Sequence, residues 1–503
     1  MTNVIFSPED ISRILGQFPP TEEQKAIITA EHTRPAVVIA GAGSGKTETM
    51  STRLIYLIAN GLVEPDRVLG LTFTRKSASD LAIKVRKSLK ILEKSDEYKR
   101  ALDTGLVHAH SSISQLGEPT ISTYHSYAAR VVREHSLRMG IEPPEHTLGE
   151  AAAWQQVERI ARNYDGDMNL ISSPLSTVIS SVMKLVTDLM ENEVDPKELI
   201  AEAQRFTDSI SGKIPYRKSD KLAATREAET AQYGRLQLIP IVEEVIRHRK
   251  SRAEFTFDDQ MVLAAQLASD FPEVGEIERA KFHVVLLDEY QDTSTSQLRL
   301  MRGLFGGGHP ITAVGDPLQA IYTWRGASSE TIEAFPRDFC DATGAPAQMF
   351  TLSTSWRNDK RILDLANEIS APLREKNQIT PVLQAKPSAV DGVISGGIYN
   401  SPVEEAQAIA SALLPYWNPE ARSSITEYKQ QMKIDPSFRC IESTAVLVRN
   451  RSQIPEIEMA LRAHGIPVEI VGIDGLIDVP EVAEVRAVLS VIANSDESSS
   501  LIK

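Results

Sequence analysis

The stretch Ala40-Gly41-Ala42-Gly43-Ser44-Gly45-Lys46-Thr47 constrains this chain more than any other. Its alternating glycines let the backbone curl until successive N–H groups point inward, a cradle for phosphate oxygens. The run before it, Ala36–Ala40, is short and apolar, the pattern of a buried parallel strand. The residues after it, Lys46 to Asn60, have the spacing of a long amphipathic helix ended by Gly61. Strand, glycine turn and helix together predict an α/β domain whose helix presents its positive N-terminal end to a triphosphate. In that geometry Lys46 reaches the β- and γ-phosphates, and the Thr47 hydroxyl holds magnesium.

A second stretch gains its meaning from the first. Val284–Leu287 is apolar, and Asp288 and Glu289 follow at once. In an α/β sheet, ligands gather at the C-terminal ends of the strands. Asp288 there suits a magnesium contact, and Glu289 suits orienting and deprotonating an attacking water. Arg67–Phe73 and Ile311–Val314 read as further strands. After the latter comes Gly315-Asp316-Pro317-Leu318-Gln319-Ala320-Ile321-Tyr322-Thr323-Trp324-Arg325-Gly326, a loop by its Gly, Pro and Asp content. Gln319 is placed to sense a γ-phosphate. Tyr322 and Trp324 beside Arg325 are the hardware of sequence-tolerant single-strand binding, where stacking is worth about 1–3 kcal/mol per base. Thr354-Ser355-Trp356-Arg357 offers an arginine that reaches a phosphate from a second domain.

Composition sets limits on partners. Net charge is −14, which argues against a general nucleic-acid binder. Charge acts locally in clefts, however, and residues 75–100 hold nine Lys or Arg against four acids. Arg247, Arg249, Lys250 and Arg252 form a second basic cluster. Either cluster taken alone reads as a solvated helix face. Two cysteines, Cys340 and Cys440, exclude a disulfide framework and a four-cysteine metal site within this sequence. No secretory leader is evident at the N-terminus and no apolar run spans a bilayer, so the expectation is a cytoplasmic protein without membrane contact.

Organisation follows from pattern changes. Residues 20–30 read as a helix opened by Pro20-Thr21. Residues 150–250 are helix-rich and poor in strand signals. Strand patterns return at Phe282, and a second α/β region is expected after residue 345, with strands at Gln348–Leu352, Ser443–Val448 and Val468–Val471. The expected boundaries are 1–135 and 255–345 for the first α/β domain, 136–254 for a helical insertion, and 346–503 for an incomplete second domain.

Taken together, these stretches resemble the UvrD/Rep/PcrA-type superfamily 1 DNA helicases. Phe18-Pro19-Pro20-Thr21-Glu22-Glu23-Gln24 resembles the family's adenine-reading glutamine motif. Leu71-Thr72-Phe73-Thr74-Arg75-Lys76 and Ile121-Ser122-Thr123-Tyr124-His125-Ser126 are similar to two motifs that follow, the first of which grips single-stranded DNA. Asp288-Glu289-Tyr290-Gln291-Asp292 is similar to the magnesium and water motif, Gly315–Gly326 to the coupling motif, and Trp356-Arg357 to an aromatic–arginine pair that stacks on adenine and touches the γ-phosphate. Phe257-Asp258-Asp259 and Ala445–Asn450 add minor support.

The resemblance implies a P-loop NTPase with a RecA-like parallel sheet, a helical insertion and a partial second RecA-like domain. It implies ATP and Mg2+ as ligands and 3′→5′ movement on single-stranded DNA in repair or recombination. The implied nucleotide contacts are Gln24, Ala40 to Glu48 and Trp356, with catalytic Lys46, Glu289, Gln319 and Arg357. Implied DNA contacts are Thr72, Phe73, Thr74, Arg75, Thr123, His125, Tyr322, Trp324 and Arg325. Gly70–Lys76 and Val284–Thr293 are similar, more closely, to the B-type motor subunit of the actinobacterial heterodimeric helicase–nuclease, which implies a partner helicase–nuclease subunit.

Two departures stand out. Glu48 follows Thr47 where many relatives have arginine, which puts one nucleotide-base contact in doubt. Two later family motifs do not occur before Lys503, so the sequence reads as a fragment or shortened product of a longer enzyme. The residues leave three readings open: a DNA-driven ATPase motor, a nucleotide- and DNA-binding module without efficient turnover, and a P-loop switch without nucleic acid. Base stacking accepts RNA as well as DNA.

Overall fold

The structure is a computed structural model that describes residues 5–104, 117–144, 147–192, 194–210, 221–322, 330–416, 444–470 and 485. It divides into two compact units, Met1–Val393 and Ile394–Lys503.

The first unit is built on a six-stranded sheet. In chain order its elements begin with α1 (Pro8–Ile14), α2 (Glu22–Ile28), β1 (Ala36–Ala40), α3 (Lys46–Ala59), β2 (Val68–Thr72), α4 (Arg75–Lys94), α5 (Asp96–Asp103), β3 (Thr120–Thr123) and α6 (Tyr124–His135). The helices α7 (Glu150–Arg162), α8 (Leu175–Glu191), α9 (Pro196–Ile210) and α10 (Lys221–Arg252) follow. The chain then returns through α11 (Phe257–Asp270), α12 (Pro272–Lys281), β4 (Val284–Leu287), α13 (Thr295–Phe305), β5 (Ile311–Gly315), α14 (Glu330–Asp338) and β6 (Gln348–Leu352). Beyond these lie β7 (Thr354–Ser355), α15 (Lys360–Lys376) and β8 (Gln384–Ala385).

The strands run in the order β3-β2-β4-β5-β1-β6, every neighbouring pair parallel. Strand side chains alternate between faces, and both faces are apolar, as a helix-covered parallel sheet requires. Val37, Ile39, Leu69, Leu71, Val285 and Leu287 face a core with residues of α6, α11, α12, α13 and α14. Val38, Ala40, Val68, Val284, Leu286 and Val314 face the opposite core with α1 to α5.

Helices α7 to α10 have their own core around Val178, Val182, Ile241 and Val245. The chain enters and leaves this helical part side by side. Thr147 and Phe255 form an isolated bridge, and the Leu148 N–H donates to the Phe255 carbonyl at 2.8 Å.

Three expectations need correction. Gln348–Leu352 does not open a second sheet; as β6 it pairs along β1, from Ala36–Gln348 to Ala40–Leu352. A buried β1 flanked only by β5 would be an exposed edge, and β6 covers it. Residues 444–448 and 468–470 form no strand, since no described segment of the second unit offers them a ladder; Ser443 and Val471 lie outside the described residues. Arg249 does not belong to a solvated basic face. Its side chain is 5% exposed and pairs with Asp259 at 3.0 Å.

In the second unit, α16 (Pro402–Leu413) packs on α17 (Ile454–Ala463) through Ala406, Ala410, Ala460, Leu461 and Ile466. No helix among the described residues is long and apolar enough to cross a membrane.

Candidate active site

Residues of interest collect where five neighbouring strands end. The glycine turn leaves β1 with Gly43 and Gly45 at φ 75° and 83°, in the left-handed region that favours glycine. Gly45 stands at the N-cap of α3, and no side chain caps that helix end. Its free N–H groups and dipole therefore face the turn. The Ser44 hydroxyl is buried there without a partner. Thr47 is exposed, while Thr49 to Ala59 are buried.

Gln24 comes to this turn from α2. Its Oε1 accepts from the Thr21 N–H at 3.0 Å, closing a capping box. Its Nε2 lies 3.3 Å from where a Cβ on Gly45 would sit. Glu48 accepts from Gln17 Nε2 at 2.6 Å and pairs with Lys84. Where the family pattern has an arginine, this chain thus places an acid and recruits a lysine from α4. Sequence reading missed Gln17 and Lys84, because only the fold brings positions 17, 48 and 84 together.

The two acids follow β4 directly. The Asp288 N–H donates to the Leu71 carbonyl at 2.9 Å, extending the β2–β4 ladder to the sheet edge. Asp288 and Thr47 line the same small cavity under the turn. Burial, and then the neighbouring Glu289 charge, push the Asp288 carboxyl up to about 6, while Lys46 acts the other way. A buried carboxyl with an accessible hydroxyl nearby is a donor set that suits a hard divalent cation. Glu289 adopts φ 50°, a left-handed conformation rare for a side chain of this kind and concentrated at functional sites. Its Oε2 accepts from Gln291 Nε2 at 2.9 Å and lies 3.6 Å from Lys46 Nζ.

Gln291 connects the acids to β5. Its Oε1 accepts from the Asp316 N–H at 3.0 Å. A Cβ at Gly315 would stand 2.3 Å from that oxygen, so glycine leaves room for it. Asp316 in turn accepts from Gln319 Nε2 at 2.6 Å. Asp292 Oδ1 accepts from the Ile321 N–H at 3.3 Å. Burial raises the Asp292 carboxyl, and the Ile321 and Tyr322 N–H groups oppose that rise.

The aromatics meet beside the acids. Phe73 leaves β2 and Tyr322 follows β5, the strands on either side of β4. Their ring centroids lie 4.6 Å apart at 35°. The Arg75 guanidinium stands 5.9 Å from the Phe257 ring centroid, and His125 Nε2 lies 3.4 Å from Asp258. Thr72 is buried and donates to the Thr74 carbonyl at 3.2 Å. Thr74 and Thr123 cap α4 and α6. The backbone work of these threonines is plain, and their sequence spacing did not separate it from a ligand role. Trp324 and Arg325 lie outside the described residues.

Trp356 and Arg357 belong to the first unit and lie on the glycine turn itself. The Trp356 N–H donates to the Gly43 carbonyl at 2.8 Å. A Cβ on Gly43 would meet Arg357 Cβ and Ser355 Oγ at 2.8 Å. The backbone of Arg357 thus lies against the phosphate turn. Both side chains are exposed, and no ion pair holds Arg357 among the described residues.

Comparison with known proteins agrees with this geometry. The model of the UvrD/REP helicase N-terminal domain matches residues 20–340, and that of the UvrD-like helicase C-terminal domain matches 350–503. The ATP-dependent DNA helicase PcrA of Staphylococcus aureus (strain NCTC 8325 / PS 47) is 28% identical over 483 residues, covering 96% of this chain and 54% of the relative. PcrA of Staphylococcus epidermidis (strain ATCC 12228 / FDA PCI 1200) is 27% identical over 486 residues, with the same coverage. The chain spans about half the length of these curated relatives. With a family model matching well over half of its residues, and a P-loop sheet carrying paired acids at its C-terminal edge, the chain belongs to the UvrD/REP helicase family.

Proposed function

We propose that this chain is the nucleotide-binding motor of an ATP-driven translocase on single-stranded DNA, moving 3′→5′ in repair or recombination. The observation that carries the reading is a convergence at one sheet edge. The glycine turn, Lys46, Asp288 and Glu289 stand beside a ring pair drawn from the strands flanking β4. The PcrA relatives bear the name ATP-dependent DNA helicase, which supports ATP and DNA as substrates.

In this reading the free N–H groups of the turn and of α3 bind the triphosphate. Lys46, now 3.6 Å from Glu289, exchanges that carboxylate for phosphate oxygens. Release of Lys46 leaves Glu289 oriented by Gln291, as a base that takes a proton from the attacking water. Arg357 neutralises charge developing on the γ-phosphoryl group, and Gln319 reports its presence to β5. Thr47 and Asp288 are the residues that would hold Mg2+, which when bound neutralises phosphate charge. Phe73 and Tyr322 hold bases by stacking, together with Trp324 and Arg325. Thr72, Thr74, Arg75, Thr123 and His125 line the same DNA path, Thr74 and Thr123 through the helix ends they cap.

For the domains, we propose 136–254 as the insertion and a first RecA-like domain that extends past residue 345 to include β6, with the rest forming part of a second. The similarity of Gly70–Lys76 and Val284–Thr293 to the B-type helicase–nuclease motor supports a partner subunit of that class.

The test is ATP hydrolysis by the full-length protein with and without single-stranded DNA. We expect stimulation by DNA, and a fall of about 10³-fold or more in Lys46→Ala and in Glu289→Gln. An unchanged DNA-stimulated rate in either variant would refute the assignment. ATP binding without single-turnover hydrolysis would leave the binding-module reading in its place.

A further inference from the structure

Helix α2 reaches the phosphate site by a route other than Gln24. Glu23, the next residue back, accepts two hydrogen bonds from Ser353: the backbone N–H at 2.9 Å to Oε2 and the hydroxyl at 2.6 Å to Oε1. Ser353 is the first residue beyond β6, where the chain leaves the sheet toward Arg357. We propose that Glu23 is a positioning residue for Arg357, holding the segment 353–357 against the phosphate turn. This rests on the reading above that Arg357 acts on the γ-phosphate.

The geometry fixes that segment at two places. Glu23 grips its start with both carboxylate oxygens, the stronger, charge-assisted form of hydrogen bond. The Gly43 carbonyl grips Trp356 at 2.8 Å, and the turn leaves no space for a Cβ beneath Arg357. Glu23 is itself a firm anchor. It stands in the first turn of α2. The start of α2 is closed by the Thr21–Gln24 capping box, and its end by Arg53, which donates to the carbonyls of Ile27, Ile28 and Ala30 at 2.8, 3.2 and 2.9 Å. Among the described residues the Arg357 side chain has no such restraint of its own, so its aim depends on the backbone that carries it. A misplacement of about 1 Å at a group acting on the transition state is enough to lower the rate by as much as about 10²-fold.

The test is a double-mutant cycle on the full-length protein, reading kcat and KM for DNA-stimulated ATP hydrolysis. Arg357→Ala is expected to lower kcat by about 10³-fold or more. Glu23→Gln is expected to lower kcat about tenfold with KM within about twofold of wild type, the pattern of an interaction made only in the transition state. Ser353→Ala removes the hydroxyl bond but keeps the backbone one, and should shift kcat the same way by less. The double variant Glu23→Gln/Arg357→Ala should be no slower than Arg357→Ala alone. Glu23 acting only in folding would multiply its tenfold factor onto the Arg357→Ala background, and that result would overturn the inference, as would an unchanged kcat in Glu23→Gln. An unchanged kcat in Arg357→Ala would overturn the phosphate role of Arg357 first, read without any change at Glu23.

Discussion

Asp288 gains its chemistry from an unfavourable position. Burial beside Glu289 holds its carboxyl at about 6, against 3.8 for an unperturbed aspartate. Between those values the folded chain binds a proton that the unfolded chain has lost. The stabilising effect of that proton is complete below about pH 4 and disappears as pH rises through about 6. A separation of about two pH units corresponds to about 3 kcal/mol. At neutral pH the ionised Asp288 therefore burdens the fold in the absence of a cation. Asp288→Asn should raise the stability of the metal-free protein at pH 7 by about 1–3 kcal/mol, with the advantage shrinking toward pH 4. Denaturant unfolding at pH 4, 5, 6 and 7 reads the slope, and parallel curves for the two proteins would refute the assignment. Burial also raises the carboxyls of Glu191, to about 7, and of Asp292, so the difference between the proteins is the quantity to follow.

Among the elements, α3 shows best what pattern reading finds and what it misses. Its start, its length and its end before Gly61 were legible from glycine placement and apolar spacing. Its amphipathic appearance was misleading, because α3 is buried on all sides from Thr49 onward. Several of the polar residues that suggested a wet face bond internally instead. Thr49 Oγ1 donates to the Gly45 carbonyl and Asn60 Nδ2 to the Phe6 and Tyr56 carbonyls. Arg53 is 1% exposed and is pulled down to about 10 by burial, with carbonyls rather than a carboxylate as its acceptors. Periodicity reports polarity, and a polar residue that bonds a neighbouring helix end looks the same in sequence as one that bonds water. Arg53→Met should destabilise the protein by about 2–4 kcal/mol, because the α2 carbonyls lose their donors while the volume is kept. Arg53→Lys should recover part of the loss through its remaining donors. Urea unfolding of the three proteins decides it, and a loss under about 0.5 kcal/mol in Arg53→Met would show that solvent replaces the guanidinium freely.

Across the whole molecule, local signals located β1, β2, β4, β5, β6 and the paired acids but not β3, while long-range contacts decided how regions join. The return of β6 to the first sheet could not be read from sequence, since a strand pattern does not name its partner. The attachment of the helical insertion is of the same kind. Arg249 looked like part of a basic face, yet it lies against Asp259 at 3.0 Å with the two side chains 5% and 2% exposed, and its Nε donates to Gln156 at 3.0 Å. These contacts join α10 and α7 of the insertion to α11 of the core, next to the Thr147–Phe255 bridge. Asp259 also closes the capping box of α11 with Thr256. A buried pair of this kind adds little over apolar neighbours, but removing one partner strands a charge and costs about 3–5 kcal/mol. Arg249→Met should therefore be destabilised by about that amount and should expose the amides of α7 and α10 to faster hydrogen exchange. Adding Asp259→Asn removes the stranded charge while an amide oxygen can still accept from Thr256. The double variant should be more stable than Arg249→Met alone, even though it carries one further substitution. If its loss instead equalled the sum of the two single losses, Arg249 and Asp259 would be energetically uncoupled, and the mutual-neutralisation account would be refuted.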